Sequence, residues 1–180
     1  ETVGELRKLP GKQFVFAGMV GPFSLAARLF GVGEALSLTV DDPDLMHLLV
    51  RKSAQFLTGY ARAFRQAGAD GVIVAEPTAG LLSPRALAAF SSAYVREIVA
   101  AVDDGHFTLV LHNCAAKLVH LPAVLQSGAK AFHFGAPMDL PAALQQAGNY
   151  LNARLAGRGL AEVRQVVMQE IAANRTELDA

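Results

Sequence analysis

The chain has 180 residues and a single cysteine, Cys114. One thiol excludes an internal disulfide framework, and it excludes any zinc site needing two cysteines of this chain. Charge of either sign is also missing in excess: Lys plus Arg is 16, Asp plus Glu is 16, and the formal net charge is zero. A protein that grips nucleic acid by neutralising phosphates needs a basic surplus, so nucleic acid is not an expected partner. No apolar run reaches the roughly 18 residues of a membrane span. The segment Glu1 to Pro10 is charged and has no apolar centre, so it does not read as a signal peptide. With 52% hydrophobic and 18% charged residues, the chain has ample apolar surface to offset the entropy of ordering. The profile is that of one cytosolic α/β domain over residues 1–180. Its first residue is Glu rather than Met, the pattern of a fragment.

Four short apolar segments read as strands: Phe14–Val20, Gly71–Ala75, Phe107–Leu111 and Ala131–Phe134. They are near-continuous rather than alternating, which suits parallel strands covered on both faces. Helical stretches lie between them. Asp41-Asp42-Pro43 caps a helix running to Gln66, with Leu45, Leu48, Leu49, Lys52 and Phe56 at helical spacing. Ser83-Pro84 opens another, with Leu87, Phe90, Tyr94, Ile98 and Val102 on one side, and Asp104-Gly105 closes it. Leu118–Gln126, Leu140–Gln146 and Leu160–Ala173 complete the set. The connectors Gln66-Ala67-Gly68-Ala69-Asp70 and Gln126-Ser127-Gly128-Ala129-Lys130 match each other, each a helix end, a turn glycine and a strand start. Alternating strands and helices give a parallel sheet. Two architectures fit: a doubly wound open sheet, or a segment of a (β/α)8 barrel, since a full barrel takes about 250 residues.

In both, ligands bind at the carboxyl ends of the strands. The first strand ends in Gly18-Met19-Val20-Gly21-Pro22-Phe23-Ser24, a bend of low bulk that lets backbone approach a ligand. Arg28 follows it, to meet an anionic ligand or to lie on a helix surface. Glu76 closes the second strand, and a carboxylate there is costly to bury without a partner. Its open roles are metal ligand, general acid or base, hydrogen-bond anchor, cap of the helix near Ser83, or solvent-facing residue. His112 and Cys114 close the third strand. Two apart in extended chain, they point to one side, and both residue types ligate zinc. Glu76 is the candidate third ligand. The alternatives are a structural cysteine and a histidine satisfied by backbone. His133, between Phe132 and Phe134, points away from both, and Asp139 suits a cap for the helix at Leu140. His47, His106 and His120 read as ordinary exposed residues.

These strings, in this order, resemble the uroporphyrinogen decarboxylase superfamily: Phe16-Ala17-Gly18-Met19-Val20-Gly21-Pro22-Phe23-Ser24-Leu25-Ala26, Ala67-Gly68-Ala69-Asp70, Glu76-Pro77-Thr78-Ala79-Gly80-Leu81-Leu82-Ser83-Pro84, Leu111-His112-Asn113-Cys114 and Gly128–Gly135. Gly148-Asn149 and Gly159–Val163 are similar to its tail. The resemblance implies a distorted (β/α)8 barrel, here its carboxyl-terminal units. It implies either of two activities. One is cofactor-free decarboxylation of a tetrapyrrole. The other is zinc-dependent methyl transfer from a corrinoid protein to a small thiol such as coenzyme M. The second branch holds zinc with a His-x-Cys pair and a later Cys, which places His112 and Cys114 as ligands and Glu76 at the acidic strand end. Gly18, Gly21, Phe23, Arg28 and His133 are then the pocket positions. The departures are definite. There is no second Cys, Ala115 replaces the glycine after His-x-Cys, and Arg28 falls where the decarboxylases carry tyrosine. The family's amino-terminal third is absent, and Gln146–Gly148 is too short for the family's helix-to-strand passage. Methyl transfer is the leading expectation, decarboxylation the second, and a non-catalytic barrel domain that binds a corrinoid or a partner protein the third. An incomplete barrel would expose sheet edges, so a homo-oligomer is also expected.

Overall fold

The computed structural model describes residues 2–8, 14–104 and 106–155, with backbone alone over 149–155. The chain divides into two compact units, Glu1–Asp139 and Leu140–Ala180. In the first, α1 (Thr2–Leu6) precedes β1 (Phe16–Val20), which leads into α2 (Pro22–Phe30), α3 (Val32–Asp41) and α4 (Pro43–Gln66). Next, β2 (Gly71–Ala75) leads through a 3-10 turn at Thr78–Leu81 into α5 (Pro84–Leu87), a π-helical turn (Ala88–Ser92) and α6 (Ala93–Val102). Finally β3 (Thr108–Asn113) leads through Leu118–His120 into α7 (Leu121–Leu125), and β4 (Ala131–Phe134) closes the unit. The second unit is described over α8 (Leu140–Leu155), longer than the Leu140–Gln146 expected. The expected helix Leu160–Ala173 lies outside the described residues.

The four strands are all parallel and lie in the order β1-β2-β3-β4. A doubly wound sheet reverses its strand order at a switch point, whereas a barrel adds each strand beside the last. The order therefore decides for the barrel type, present here as a four-stranded arc. Register carries Val20 to Ala75, Ala75 to His112 and His112 to His133 in one row at the carboxyl edge. Because side chains alternate along a strand, this row shares a face with Gly18, Ile73 and Val110.

The helices cover the other face. Ala17, Met19, Val72, Val74, Leu109 and Leu111 are buried there in one core with Phe23, Met46, Leu57 and Ile98. The expectation of strands covered on both faces thus holds on one face only: Phe16, Gly18, Ile73 and His133 are exposed on the other. In a closed barrel that inner face is filled by layers of side chains from all its strands. Four strands do not surround it.

The helices test the sequence periodicity directly. Around α5 and α6 all five expected positions, Leu87, Phe90, Tyr94, Ile98 and Val102, are buried. Ser83 accepts from Ala86 N–H at the start of this stretch, as Asp42 does from Leu45 N–H at the start of α4. In α4 the helix falls where expected but with a different face inward. Met46, Val50, Ser53, Ala54, Leu57 and Ala61 are buried, while Leu48 and Phe56 are exposed. The small residues let α4 lie close against its neighbours, which larger side chains would prevent. The stretch Pro22–Asp41, unassigned from sequence, forms α2 and α3, which meet at a 109° bend. Among the described residues no single helix is long and apolar enough to cross a membrane. The two matching connectors adopt one conformation: Gly68 and Gly128 have φ of 93° and 73°, in the left-handed region that favours glycine.

Ion pairs gather at the amino ends of the strands. Arg7 meets Asp70 at 2.5 Å, and Lys130 meets the buried Asp103 at 2.6 Å. The hydrogen bond from Val15 N–H, then Arg7, hold the Asp70 carboxyl below its usual range. This end of the sheet is a structural seam, which leaves the carboxyl end for ligands.

The inward face of α4 gives a direct test. Leu57 is 1% exposed and Phe56 is 64% exposed. Leu57→Ala should cost about 2–5 kcal/mol in denaturant unfolding, as large-to-small core changes do. Phe56→Ala, at an exposed position, should stay within about 0.5 kcal/mol.

Candidate functional site

The carboxyl edge is organised by Glu76. Its side chain is 1% exposed and reaches the start of α2 rather than solvent. One oxygen accepts from Phe23 N–H at 3.0 Å and from the Ser91 hydroxyl at 3.1 Å; the other accepts from Ser24 N–H at 2.9 Å. The first turn of any helix has unpaired N–H groups and a partial positive charge. Here the N-cap residue is Gly21, which has no side chain to satisfy them. A carboxylate from the next strand does so instead. The exchange requires glycine, because a Cβ at Gly21 would come within 2.4 Å of the Glu76 side chain. Ser24 extends the network by accepting from Thr78 N–H at 3.2 Å. Burial pushes the Glu76 pKa up from the ordinary carboxylate range, and the donors of Ser24, Phe23 and Ser91 pull it back.

Of the roles open to Glu76 from sequence, the geometry shows the hydrogen-bond anchor. The helix it caps is α2, not the helix near Ser83, which caps itself, and the side chain does not face solvent. Its position one residue past Ala75, the register partner of His112, also turns it to the helix-covered face. The structure therefore does not bring Glu76 to His112 as a third ligand.

On the open face, His112 and His133 are register partners and form a pair. Their Nδ1 atoms are 2.6 Å apart, and the rings stack with centroids 4.7 Å apart at 25°. One Nδ1 must carry the proton and the other accept it. Burial and the neighbouring His133 lower the His112 pKa, so His112 favours the neutral ring. The sequence expectation that His133 points away from its phenylalanines holds: Phe132 and Phe134 stack in parallel and pack against the core while His133 is exposed. Cys114 follows β3 directly and is exposed, so it is not a buried structural cysteine. The loops after β3 and β4 touch at backbone level, since a Cβ at Gly135 would come 2.3 Å from the Cys114 carbonyl oxygen.

Among the described residues no group of three His, Cys, Asp or Glu side chains is placed to hold a metal ion. His112 and Cys114 are suitable donor types, but Glu76 spends both oxygens on α2 and Ser91. A three-ligand zinc site of His112, Cys114 and Glu76 does not fit this arrangement.

The remaining positions are separated. Gly18 lies on the open face, and a Cβ there would meet nothing within 4 Å. Phe23 is fully buried in the core, so its contribution at this end is its backbone N–H. Arg28 is exposed in the last turn of α2. His120, expected on the surface, is buried: its Nδ1 accepts from Lys117 N–H and its Nε2 lies 3.1 Å from the Leu82 carbonyl. His47 is half-buried, 2.9 Å from the Tyr94 hydroxyl. His106 is exposed as expected. Ser24, Ser91 and Gly135 were not legible as site residues. Ser24 carried a signal, standing at the third helical position after a glycine cap; Ser91 carried none.

The strand order and motif placement are those of one half of a barrel family, and comparison with known proteins agrees. The model for Uroporphyrinogen decarboxylase (URO-D) matches residues 1–177. The chain belongs to the uroporphyrinogen decarboxylase family. A uroporphyrinogen decarboxylase of Pseudomonas syringae pv. tomato is 29% identical over 159 residues, covering 83% of this chain and 45% of the relative. A methylcobamide:CoM methyltransferase of Methanosarcina mazei is 29% identical over 150 residues, covering 82% of this chain and 43% of the relative. A solved methyltransferase structure from Methanosarcina mazei superposes with a TM-score of 0.59 at 18% identity, over 76% of this chain and 57% of that one. The chain thus spans less than half the length of those two curated relatives, and the fold is the family's barrel in part.

The anchor has a measurable energy. In Glu76→Gln the amide nitrogen opposes a backbone N–H, so one buried donor of α2 loses its acceptor, and stability at neutral pH should fall by about 1–3 kcal/mol. Gly21→Ala should destabilise comparably through the clash. The pH dependence has a fixed sign. A folded pKa raised above the unfolded value means that this part of the stability is complete below the unfolded pKa and declines as pH rises through the folded pKa. Gln does not titrate, so the gap between wild type and Glu76→Gln should be widest at acid pH, by urea unfolding across the carboxylate range.

Proposed function

We propose that this chain supplies the carboxyl-terminal part of a tetrapyrrole site, in a protein that moves a methyl group from a corrinoid protein to a small thiol such as coenzyme M. The observation that carries the reading is the pair His112 and Cys114 at the carboxyl end of β3, a half-buried imidazole and an exposed thiol where barrel enzymes do their chemistry. The methyl-transferring relative acts, by its name, on methylcobamide and CoM. The chain's own residues divide the work. Glu76 fixes the Gly21–Ser24 bend, so that the end of β1 keeps one shape. Gly18 leaves the face open for a flat macrocycle. His112 and His133 form a polar step within an apolar row, and Cys114 presents a soft donor beside it. A zinc ion would supply acidity to an acceptor thiol, but the described donors do not complete its site, and no step is assigned to it.

One observation favours a second reading. With both Glu76 oxygens committed to α2 and Ser91, and a uroporphyrinogen decarboxylase among the relatives, the chemistry of a cofactor-free tetrapyrrole decarboxylase suits the same face. Titration of the chain with methylcobalamin and, separately, with uroporphyrin, followed by absorbance, distinguishes the two. Methyl transfer predicts corrinoid uptake and at least tenfold weaker binding in Gly18→Leu, at a position where an added Cβ meets nothing within 4 Å, with unfolding in urea checked alongside. Uptake of uroporphyrin alone would transfer the assignment to decarboxylation. Binding of neither would contradict both.

A further inference from the structure

The helix-covered side of the sheet carries a groove of its own. Helices α2 and α4 pack against each other, and between them lies a concavity of about 490 Å³. Its floor is Leu25, Ala26 and Leu49, which belong to the core or pack against it. Its walls are Leu29, Phe30 and Phe56, all three exposed. A concave apolar surface of this size is the ordinary form of a small-molecule site when a few polar groups converge on it. Two do so here. Lys52 lines the groove and makes no ion pair among the described residues. The positions three and four away on its helix are Leu48, Leu49, Gln55 and Phe56, so no acid is within reach along α4. Ser53 also lines the groove and is only 6% exposed, yet its hydroxyl enters no hydrogen bond among the described residues. It does not bond back to its own helix, as the Thr58 hydroxyl does to the Ala54 carbonyl at 2.8 Å.

The charge around the groove has one sign. Helix α2 contains no acid and one base, Arg28. From Leu45 to Gln66, α4 contains no acid and the bases Arg51, Lys52, Arg62 and Arg65, of which Arg65 pairs with Asp104. In a chain of zero formal net charge this is a local positive field beside an apolar floor. We propose that the α2–α4 groove binds a long-chain monocarboxylate, with the hydrocarbon chain along Leu25, Leu29, Phe30 and Phe56 and the carboxylate at Lys52 and Ser53. An ammonium and a hydroxyl both donate, which suits an ionised carboxylate, a group that only accepts. One cation and one hydroxyl match a single negative charge rather than a phosphate dianion. The occupant is a free amphiphile and not a bilayer, because a helix that lies on a membrane buries a convex apolar face, whereas this surface is concave. The groove lies on the opposite side of the sheet from Gly18, His112 and His133, so it stands whether or not the open face takes a tetrapyrrole.

Titration of the full 180-residue chain with dodecanoate below its micelle concentration, by calorimetry, tests the site. The expected result is one site per chain. Affinity should fall about threefold in Lys52→Gln and about tenfold in Lys52→Glu, where attraction becomes repulsion. It should fall at least tenfold in Leu29→Glu, which puts a charge against the alkyl chain. Dodecan-1-ol, with the same chain and no charge, should bind about threefold more weakly than dodecanoate. Lys52 and Leu29 are exposed, and unfolding in urea verifies that the variants fold. Backbone amide spectra locate the ligand: shifts should fall on Leu25–Phe30 of α2 and Leu49–Phe56 of α4. Wild-type affinity in Lys52→Glu or Leu29→Glu, equal binding of the alcohol, or shifts on Gly18 and Ile73 instead would overturn the proposal. Binding to phosphatidylglycerol vesicles without uptake of dodecanoate would also overturn it and assign the face to a membrane.

Discussion

A buried carboxylate ties together the carboxyl end of this four-stranded arc. Glu76 leaves β2, crosses to the start of α2 and satisfies two backbone N–H groups that the glycine cap cannot. The charge is costly to desolvate, and the donors and the positive end of a helix recover part of that cost while the pKa stays above the ordinary carboxylate value. Local features are built around it. Gly21 has to be glycine, the Ser91 hydroxyl donates to the same carboxylate, and the Ser24 hydroxyl carries the network on to Thr78 N–H. A protein that only needed a helix cap would place Ser or Asp at the cap itself. Borrowing the cap from the neighbouring strand instead ties two consecutive βα units at their carboxyl ends.

The tie also sorts the two faces of the sheet. Glu76 belongs to the covered face, with Val72 and Val74, while Ala75 and His112 belong to the open one. The ionisable groups of the strand ends are thereby separated, the carboxylate buried and structural, the imidazoles and thiol accessible. Ion pairs through Asp70 and Asp103 lie at the opposite end, away from the accessible imidazoles and thiol.

Much of this was legible in the sequence. The five buried positions around α5 and α6 follow from spacing alone because that helix packs a broad apolar stripe. In α4 the same reasoning places the inward stripe about one residue off: Leu49 packs against the core, but Leu48 and Phe56 are exposed. Leu48 and Phe56 carry more apolar area than Ala54 and Ala61, but close packing of helices rewards small residues. Local patterning leaves a barrel and a doubly wound sheet equally open, since strand order is a long-range property; the resemblance of the strand-end motifs to the decarboxylase family is what points to the barrel, and the strand order agrees. Partners across the fold were equally hidden. Glu76 stood out as a buried strand-end carboxylate, but its acceptors' donors lie 52 and 53 residues earlier. The His112–His133 pair depends on register between parallel strands, which no motif in either strand specifies.

The central claim is that Glu76 serves as the anchor of α2. Backbone amide hydrogen exchange at Phe23 and Ser24 measures it most directly, because both N–H groups lie in the first turn of the helix, where no intrahelical acceptor exists. The account predicts strong protection of both amides in the wild-type chain, lost in Glu76→Gln while the amides of Val72 and Leu109 remain protected. Rapid exchange of Phe23 and Ser24 in the wild-type chain would contradict it.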